Sequence, residues 1–342
     1  MKAAESLRRY SFATLLILLL TLITGCSAID NAVEKVARDV ERNLLTGLPG
    51  ANRQILGVKI DDTNAAQPQV GVESADVVYI EQVEAGLTRL LALYSSQYPI
   101  RIGPVRSARI SDIDILAEYG RVGLIFSGAQ SRLYPYLDAA NIANLGAQRN
   151  PPTVYVRDSL RNSPTNMFVY PDKLLEVDKN ASSIDLVRKP GWSFGENPGT
   201  GVEIESATVR WPKATYRVDW SSDEDRWLIS FNGKPKVNPD GYQLGSPNFV
   251  IQIVAIVPSD FGDRYGGVTP KSEVVGSGKG FLLRDGFAIE VSWRRDSPET
   301  PTTWQLVDGS PAPFEPGQIW IALTANEPSF GYPEATVGDN QK

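Results

Sequence analysis

A single cysteine, Cys26, and a complete lack of histidine restrict what can hold this 342-residue chain together. One cysteine cannot form a disulfide within the chain, and without histidine no zinc site of the Cys/His type can form. Any metal would have to bind carboxylates, and we predict neither a metal site nor a cofactor. The fold must therefore depend on apolar burial, and 42% hydrophobic residues are enough for about two domains.

The N-terminal residues have the pattern of a lipoprotein signal sequence. Three basic residues precede an uncharged, mainly apolar run from 12 to 23, which is shorter than the roughly 20 residues of a membrane-spanning helix. The run leads into Leu-Ile-Thr-Gly-Cys, ending at Cys26, which resembles a bacterial lipobox. A free cysteine in an anchor helix is the alternative. We predict a signal peptide at 1–25 and lipidation at Cys26.

Lipidation decides the expected compartment. Acyl chains on Cys26, such as palmitate, would hold the protein to a membrane, because each buried CH₂ contributes roughly 0.8 kcal/mol. We therefore expect the protein on the extracytoplasmic face of the cell membrane, which argues against ATP- or NAD-dependent roles. A formal net charge of −6 and the lack of a basic block argue against nucleic-acid binding.

Changes in composition divide the rest of the chain into segments. Residues 26–50 carry a thin apolar stripe at helical spacing, as expected of a lipidated tether. A stretch rich in glycine and proline at 189–201 predicts a linker, and the polar residues 327–342 predict a flexible tail. Two domains are expected between these segments, at 51–188 and 202–326.

The first of these domains alternates strand and helix patterns. Strands are predicted at 55–60, 77–80, 87–94 and 122–126, and helices at 111–119 and 133–140. Ser111 and Asp114 are expected to form a capping box at the start of the first helix. The pattern predicts an α/β domain with a mixed sheet.

The second domain consists of short strand patterns separated by turn residues. Asn232-Gly233, Asp285-Gly286 and Asp308-Gly309 are strong hairpin signals. The pattern predicts a β-rich domain, either a barrel or a sandwich. All seven tryptophans lie in or beside this domain, where they could stack on sugar rings or fill a β core.

Several strings of residues together match one family pattern. They are Ala75–Tyr79, Glu84–Arg89, Arg101–Arg109, Gly276–Gly280 and Pro316–Ile321. These strings resemble the YerB-like bacterial lipoproteins, a two-domain family of unknown function. The resemblance covers most of the chain after the lipobox and implies a location and an architecture, but no reaction. Many members carry a histidine near the positions of Ser127 and Thr165, where this chain has none.

Arg106 and Arg109, with Ser107 between them, are the first candidates for a ligand site. They stand just before the helix predicted at 111–119, where guanidinium and free backbone N–H groups can converge on an anion. The alternative is an internal ionic strut, in which neighbouring carboxylates such as Asp112 neutralise both arginines.

A second group of candidates follows the strand predicted at 122–126. Ser127, Gly128 and Gln130 lie between this strand and a helix, where ligands bind in open α/β sheets, and Asn166 could share the rim. An ordinary tight turn is the alternative. The lack of the Gly-x-Ser-x-Gly motif and of histidine argues against a hydrolase elbow.

Three carboxylates are candidates for acid/base catalysis: Glu81, Glu84 and Asp61. In a glycosidase, two such groups flank the scissile bond. Residues three apart on a strand point to opposite faces, however, which weakens the pair Glu81 and Glu84.

Taken together, these patterns predict a membrane-anchored envelope lipoprotein that acts as a non-catalytic binding or scaffold protein with an anion-binding cleft. Its expected partners are the membrane, through Cys26, and an anionic envelope polymer or envelope protein. The alternatives are a carboxylate-based hydrolase or transferase acting on envelope glycans, and a protein-interaction module presented by the second domain.

Overall fold

A mixed central sheet runs through the computed structural model, which describes residues 40–262 and 266–334. The chain divides into two units, Met1–Arg42 and Asn43–Lys342. The first lies almost wholly outside the described residues, so the fold described below is that of the second. The predicted signal peptide, Cys26 and most of the tether are therefore outside the described residues as well.

Within the described residues, the N-terminal half contains three short α-helices and the first seven strands. The helices are α1 (Ser111–Ala117), α2 (Tyr134–Ala139) and α3 (Pro171–Val177). The strands are β1 (Leu56–Asp61), β2 (Val77–Gln82), β3 (Thr88–Tyr94), β4 (Val122–Ile125), β5 (Ile142–Asn144), β6 (Tyr155–Arg157) and β7 (Met167–Val169).

The rest of the described chain is rich in strands. They are β8 (Ser193–Phe194), β9 (Val202–Glu203), β10 (Ser206–Trp211), β11 (Ala214–Ser221), β12 (Arg226–Phe231), β13 (Lys234–Pro235), β14 (Gly245–Ser246), β15 (Asn248–Ile253), β16 (Ile256–Gly262), β17 (Val268–Ser272), β18 (Gly276–Arg284), β19 (Phe287–Arg295), β20 (Thr303–Gln305), β21 (Pro313–Phe314), β22 (Ile319–Thr324) and β23 (Ser329–Gly331).

The central sheet takes strands from both halves, in the order β20-β19-β18-β15-β22-β2-β3-β1-β4-β5, with β9 also beside β19. β3 runs antiparallel between β1 and β2, whereas β4 is parallel to β1 and β22 is parallel to β2. This is the mixed sheet predicted for the first domain. All six residues of β1 are buried, as expected of a strand that is covered on both faces.

Each face of the central sheet has its own cover. A second sheet, in the order β13-β12-β11-β10-β23 with β14 beside β12, contributes Tyr216 and Trp227 to the core that contains Ile80. On the opposite face, α1 and α2 place Leu116 and Leu137 in the other core. Both sheets have free ends in the described chain, so the C-terminal strands form a sandwich-like arrangement and not a closed barrel.

Two of the three turn signals of the C-terminal region, Asn232-Gly233 and Asp285-Gly286, are confirmed. Asn232 and Gly233 have φ angles of 50° and 79°, and Asp285 and Gly286 have 52° and 80°. Positive φ at both central residues is the geometry of a type I′ hairpin turn. Six of the seven tryptophans are buried, which places them in the β cores: Trp192, Trp211, Trp227, Trp293, Trp304 and Trp320.

Some local expectations differ from the structure. The predicted capping box does not form, because the helix begins at Ser111 and Ile110 occupies the N-cap position. The Ser111 hydroxyl instead accepts a hydrogen bond from the backbone N–H of Ser272 at 3.0 Å. The segment predicted as a linker, 189–201, contains β8 and the buried Trp192 and is packed onto the fold. Part of the predicted tail forms β23, which pairs with β10, while residues 335–342 are outside the described part.

No helix within the described ranges combines the length and the apolar character needed to cross a membrane.

Candidate functional site

One edge of the central sheet gathers most of the predicted site residues. Because β1, β2, β4 and β5 all run in the same direction, their carboxyl ends meet at this edge. Asp61 ends β1, Glu81 lies near the end of β2, and Ser127 follows β4. Arg106 joins them through its backbone, since its N–H donates to Lys59 O at 2.8 Å and its carbonyl accepts from Ser127 N at 2.9 Å.

A charged cluster lies beneath this edge, on the face covered by α1. It contains four cations and four carboxylates: Lys59, Arg89, Arg106, Arg109, Asp61, Glu81, Glu84 and Asp112. The strand register explains part of this arrangement, because Glu81, Arg89 and Asp61 are direct neighbours across β2, β3 and β1. Neighbours across strands share one face of a sheet.

Every carboxylate proposed for catalysis touches a cation. Asp61 Oδ2 lies 2.5 Å from Arg106 Nε, and Glu81 contacts Lys59 Nζ. Glu84 accepts two hydrogen bonds from the Arg109 guanidinium, at 2.7 and 2.9 Å. The pairs of Asp61 with Arg106 and of Glu84 with Arg109 correspond to the internal ionic strut that the sequence analysis gave as the alternative to a ligand site.

The protonation of Glu84 is also set by this pairing. Burial raises the pKa of Glu84, but the charge and hydrogen bonds of Arg109, with a hydrogen bond from Thr269, outweigh it and hold the pKa below its ordinary value. A general acid in a glycosidase needs a raised pKa. Glu84 is therefore poorly suited to protonate a leaving group.

The two arginines of the predicted anion site differ in their free donors. Arg109 gives its Nε and Nη2 hydrogens to Glu84 and an Nη1 hydrogen to Ala108 O at 3.0 Å. Arg106 pairs with Asp61, with its Nε 2.5 Å from Asp61 Oδ2, and its side chain is 24% exposed. Within the described ranges, neither Nη of Arg106 has a hydrogen-bond partner, so Arg106 retains donors for a ligand.

Ser107, Ser127 and Gly128 lie next to Arg106 at the surface of this edge. The backbone N–H of Ala108 donates to Gly128 O at 2.8 Å, which brings the two loops together. A Cβ on Gly128 would stand 2.8 Å from the amide nitrogen of Gln148, so glycine permits this close approach. Neither serine hydroxyl has a partner in the described chain.

The remaining two predicted residues lie at the sides of this group. Gln130 has a buried side-chain oxygen with no hydrogen-bond partner in the described part of the chain. Asn166 lies just before β7 and accepts a hydrogen bond from Arg157 at 2.7 Å. Its neighbour Met167 accepts a hydrogen bond from Val105 N at 2.7 Å, which places the β6–β7 hairpin beside the arginine segment.

Sequence reasoning missed two buried cations of the cluster, Lys59 and Arg89. Burial lowers the pKa of Lys59 to about 8, and burial together with the nearby charges of Arg109 and Arg106 lowers that of Arg89 to about 9. The available signal was a charged residue inside an otherwise apolar strand, since lysine and arginine are almost never fully buried unless they are paired.

A second buried ion pair lies on the opposite face of the sheet and connects the two halves of the chain. Lys236 Nζ donates to Asp62 Oδ1 at 2.7 Å, and both side chains are 0% exposed. Asp62 Oδ2 accepts further hydrogen bonds from Thr88 at 2.6 Å and Tyr216 at 2.7 Å, and Gln69 donates to Oδ1 at 3.2 Å. This centre is complete and leaves no group for a ligand.

Two cavities lie away from the charged edge. One, of about 510 Å³, is lined mainly by apolar residues of β9, β18, β19 and β23, and the other, of about 540 Å³, lies beside the end of α3. Within residues 40–262 and 266–334, no three acidic side chains converge as a metal site would require.

Comparison with known proteins agrees with this architecture. Residues 45–184 match the family described as "Protein of unknown function (DUF3048) N-terminal domain", and residues 207–321 match the C-terminal domain of the same family. The chain belongs to the DUF3048 family. Both family domains contribute strands to the single central sheet.

One relative supports the family assignment along nearly the whole chain. The Bacillus subtilis protein named "Putative lipoprotein YerB" is 22% identical over 326 residues, which cover 88% of this chain and 91% of the relative. The crystal structure of Bacillus subtilis YerB matches with a TM-score of 0.72 at 21% identity, over 84% of this chain and 99% of that chain. The structural match establishes a shared fold, and the family is one of unknown function.

Proposed function

We propose that the protein is a lipid-anchored, extracytoplasmic binding protein of the cell envelope, which holds an anionic group at the charged sheet edge without catalysing a reaction. The observation that carries this proposal is the difference between the arginines. Arg109 has its donors occupied by the fold, whereas Arg106 keeps both Nη groups free at a partly exposed position.

The neighbours of Arg106 support an anion as ligand. Ser107 follows Arg106 in the chain, and backbone hydrogen bonds from Ser127 N to Arg106 O and from Ala108 N to Gly128 O bring the loop of Ser127 and Gly128 beside the arginine segment. Hydroxyls, backbone N–H groups and a guanidinium are the donors that bind carboxylates and phosphates. The expected ligand is an anionic group of an envelope polymer or of an envelope protein.

The enzymatic alternative has less support. Its three candidate acids, Asp61, Glu81 and Glu84, each contact a buried or partly buried cation. Glu84 has a pKa held below its ordinary value by Arg109. A hydrolase of this type needs one carboxyl group that stays protonated.

Calorimetric titration of the full chain in detergent tests the anion site, with inorganic phosphate and a carboxylate-bearing muropeptide as probes. Replacement of Arg106 by alanine removes a charged hydrogen-bond donor worth about 1.5–3 kcal/mol, so affinity is expected to fall about 10- to 100-fold. Gly128→Ala is expected to weaken binding because its Cβ displaces Gln148.

Arg294→Ala is the matched control, because Arg294 is 70% exposed and pairs only with the equally exposed Asp296. It is expected to bind both probes like the wild-type protein. Equal affinity of the Arg106→Ala and wild-type proteins, or no binding of either probe, would refute the anion site.

The lipid anchor rests on the lipobox-like string ending at Cys26, and the name of the Bacillus subtilis relative supports it. Cys26→Ser is expected to release the protein from the membrane fraction, because no thiol remains to carry the lipid. Arg106→Ala should stay with the membrane. If the Cys26→Ser protein also remained membrane-bound without lipid, the anchor assignment would be wrong.

A further inference from the structure

Lys59 occupies an unusual position between two carboxylates. Its Nζ contacts Glu81 Oε1 and lies 2.7 Å from Asp112 Oδ1, and all three side chains are 0% exposed. Lys59 is on β1 and Glu81 is on β2, so the two side chains meet across β3, which lies between these strands. The amine of one strand therefore faces the carboxyl group of another in a site closed to water.

Apart from the contact with Lys59, Glu81 has none of the donors that normally stabilise a buried carboxylate. Both of its oxygens are buried, and among the described residues neither accepts a hydrogen bond. Asp112 differs, because its Oδ2 accepts a hydrogen bond from the backbone N–H of Arg109 at 2.7 Å and its Oδ1 accepts one from Lys59. An ionised carboxylate without hydrogen bonds is costly to bury, so Glu81 is the better candidate for a neutral, protonated acid.

The surroundings favour the neutral amine as well. Burial lowers the pKa of Lys59 to about 8, with Arg89 and Arg109 opposing the positive charge and Asp112 favouring it. About a tenth of the amine would then be neutral at pH 7, which is the nucleophilic form. A neutral amine and a protonated carboxyl group in contact are the two reactants of amide formation.

We propose that Lys59 and Glu81 condense into an intramolecular isopeptide bond, with Asp112 carrying the proton. The lone pair of Nζ attacks Glu81 Cδ and forms the N–C bond. Asp112 accepts a proton from Nζ and returns it to the departing hydroxyl oxygen, so that the C–O bond breaks and one water molecule leaves. The balance needs no oxidant, reductant or other reactant.

The product suits the site better than the separate groups. The reaction replaces an amine and an acid with one neutral amide, which removes the need to bury either charge. The new amide N–H can donate to Asp112 Oδ1, the partner that Lys59 Nζ already has. The bond would link β1 to β2 across β3 and so fix the edge that carries Arg106.

Tryptic peptide mapping of the full chain tests the bond directly. Without it, trypsin cleaves after Lys59 and releases residues 54–59 and 60–89 as separate peptides. With it, Lys59 is no longer a substrate, and one peptide of residues 54–89 appears, lighter than its sequence mass by one water. Fragmentation is expected to locate the loss at Lys59 and Glu81.

Variants separate this chemistry from other causes of water loss. Glu81→Gln can form the same amide with loss of ammonia and should give a peptide of the same final mass, whereas Glu81→Ala should give the two separate peptides. Asp112→Ala should slow or prevent the reaction. Lys279→Arg is the control, because Lys279 and its partner Glu327 form an exposed ion pair, and it should retain the bonded peptide.

The wild-type protein alone can overturn the proposal, whatever the folding of the variants. Complete cleavage after Lys59, or a water loss located at other residues, would show that the three groups form only a buried ionic cluster. The mapping is independent of ligand binding at Arg106, so failure of the anion site would leave this inference standing.

Discussion

The buried pair of Lys236 and Asp62 provides the sharpest test of how the two family domains are held together. Asp62→Asn removes the negative charge and leaves the Lys236 ammonium without a counter-charge at a position that is 0% exposed. Burial lowers the pKa of Lys236, and the charge of Asp62 opposes that shift. Removal of one partner of such a pair costs about 3–5 kcal/mol of the free energy of unfolding.

Lys236→Met is expected to cost less, because Asp62 keeps hydrogen bonds from Thr88, Tyr216 and Gln69. The double variant should recover most of the loss, since neither charge is then left alone. A double-mutant cycle should therefore show a coupling energy of up to about 3 kcal/mol. The pair joins residues of different family domains, so the coupling measures their mutual stabilisation.

Guanidinium chloride unfolding, followed by tryptophan fluorescence to which the buried Trp227 and Trp320 contribute, is the assay. Both tryptophans lie in the core that the two halves share, so the wild-type protein is expected to unfold in one transition. A loss below about 1 kcal/mol for Asp62→Asn, or simple additivity in the double variant, would show that the pair is hydrated or energetically unimportant.

Two further predictions concern a buried acid and the hairpin turns. Burial raises the pKa of Glu118, and this outweighs the opposing charge of Arg295. Its contribution to the free energy of unfolding should therefore be complete below about pH 4.5 and decline as the pH rises through the pKa of Glu118 in the folded state. Glu118→Gln should flatten this part of a plot of melting temperature against pH. An unchanged plot would contradict the assignment. Gly233→Ala should cost about 1–2 kcal/mol in urea unfolding, because its φ is 79° and no other atom is close. Gly286→Ala should lower the free energy of unfolding more, since its Cβ would also lie 3.1 Å from Trp220. Equal losses for the two variants would show that the Trp220 side chain moves aside without cost.

The local elements were largely readable from the sequence. Alternation and apolar runs located β1, β2, β3 and β4 to within a residue or two, because a strand buried on one or both faces leaves a pattern that needs no distant information. The turns at Asn232-Gly233 and Asp285-Gly286 were also predictable from neighbouring residues alone, because Asn-Gly and Asp-Gly pairs favour positive φ at both positions. The capping box did not form because the helix begins one residue earlier than the capping box requires, with Ile110 at the N-cap, and the Ser111 hydroxyl accepts a hydrogen bond from the distant Ser272 N–H.

The candidate site was only partly readable. The sequence predicted a site at Ser127 and Gly128 because they follow a buried strand, and at Arg106 because it precedes a helix. The structure brings these residues together at one sheet edge. It could not distinguish Arg106 from Arg109, since the difference depends on which carboxylate each meets. Lys59 was missed although it is a charged residue within an apolar strand, because the strand was predicted from its apolar residues and the charged one was not considered.

The sequence by itself determined the strand and turn positions and the family strings around Arg106, and it predicts lipidation at Cys26. Tertiary structure alone decided that β22, from the end of the chain, lies between β15 and β2 and so unites both domains in one sheet. It also decided that Lys59 meets Glu81 and Asp112. Strand order and side-chain pairing are set by the packing of distant segments against each other. A local pattern of residues does not specify which distant segment will pack against it.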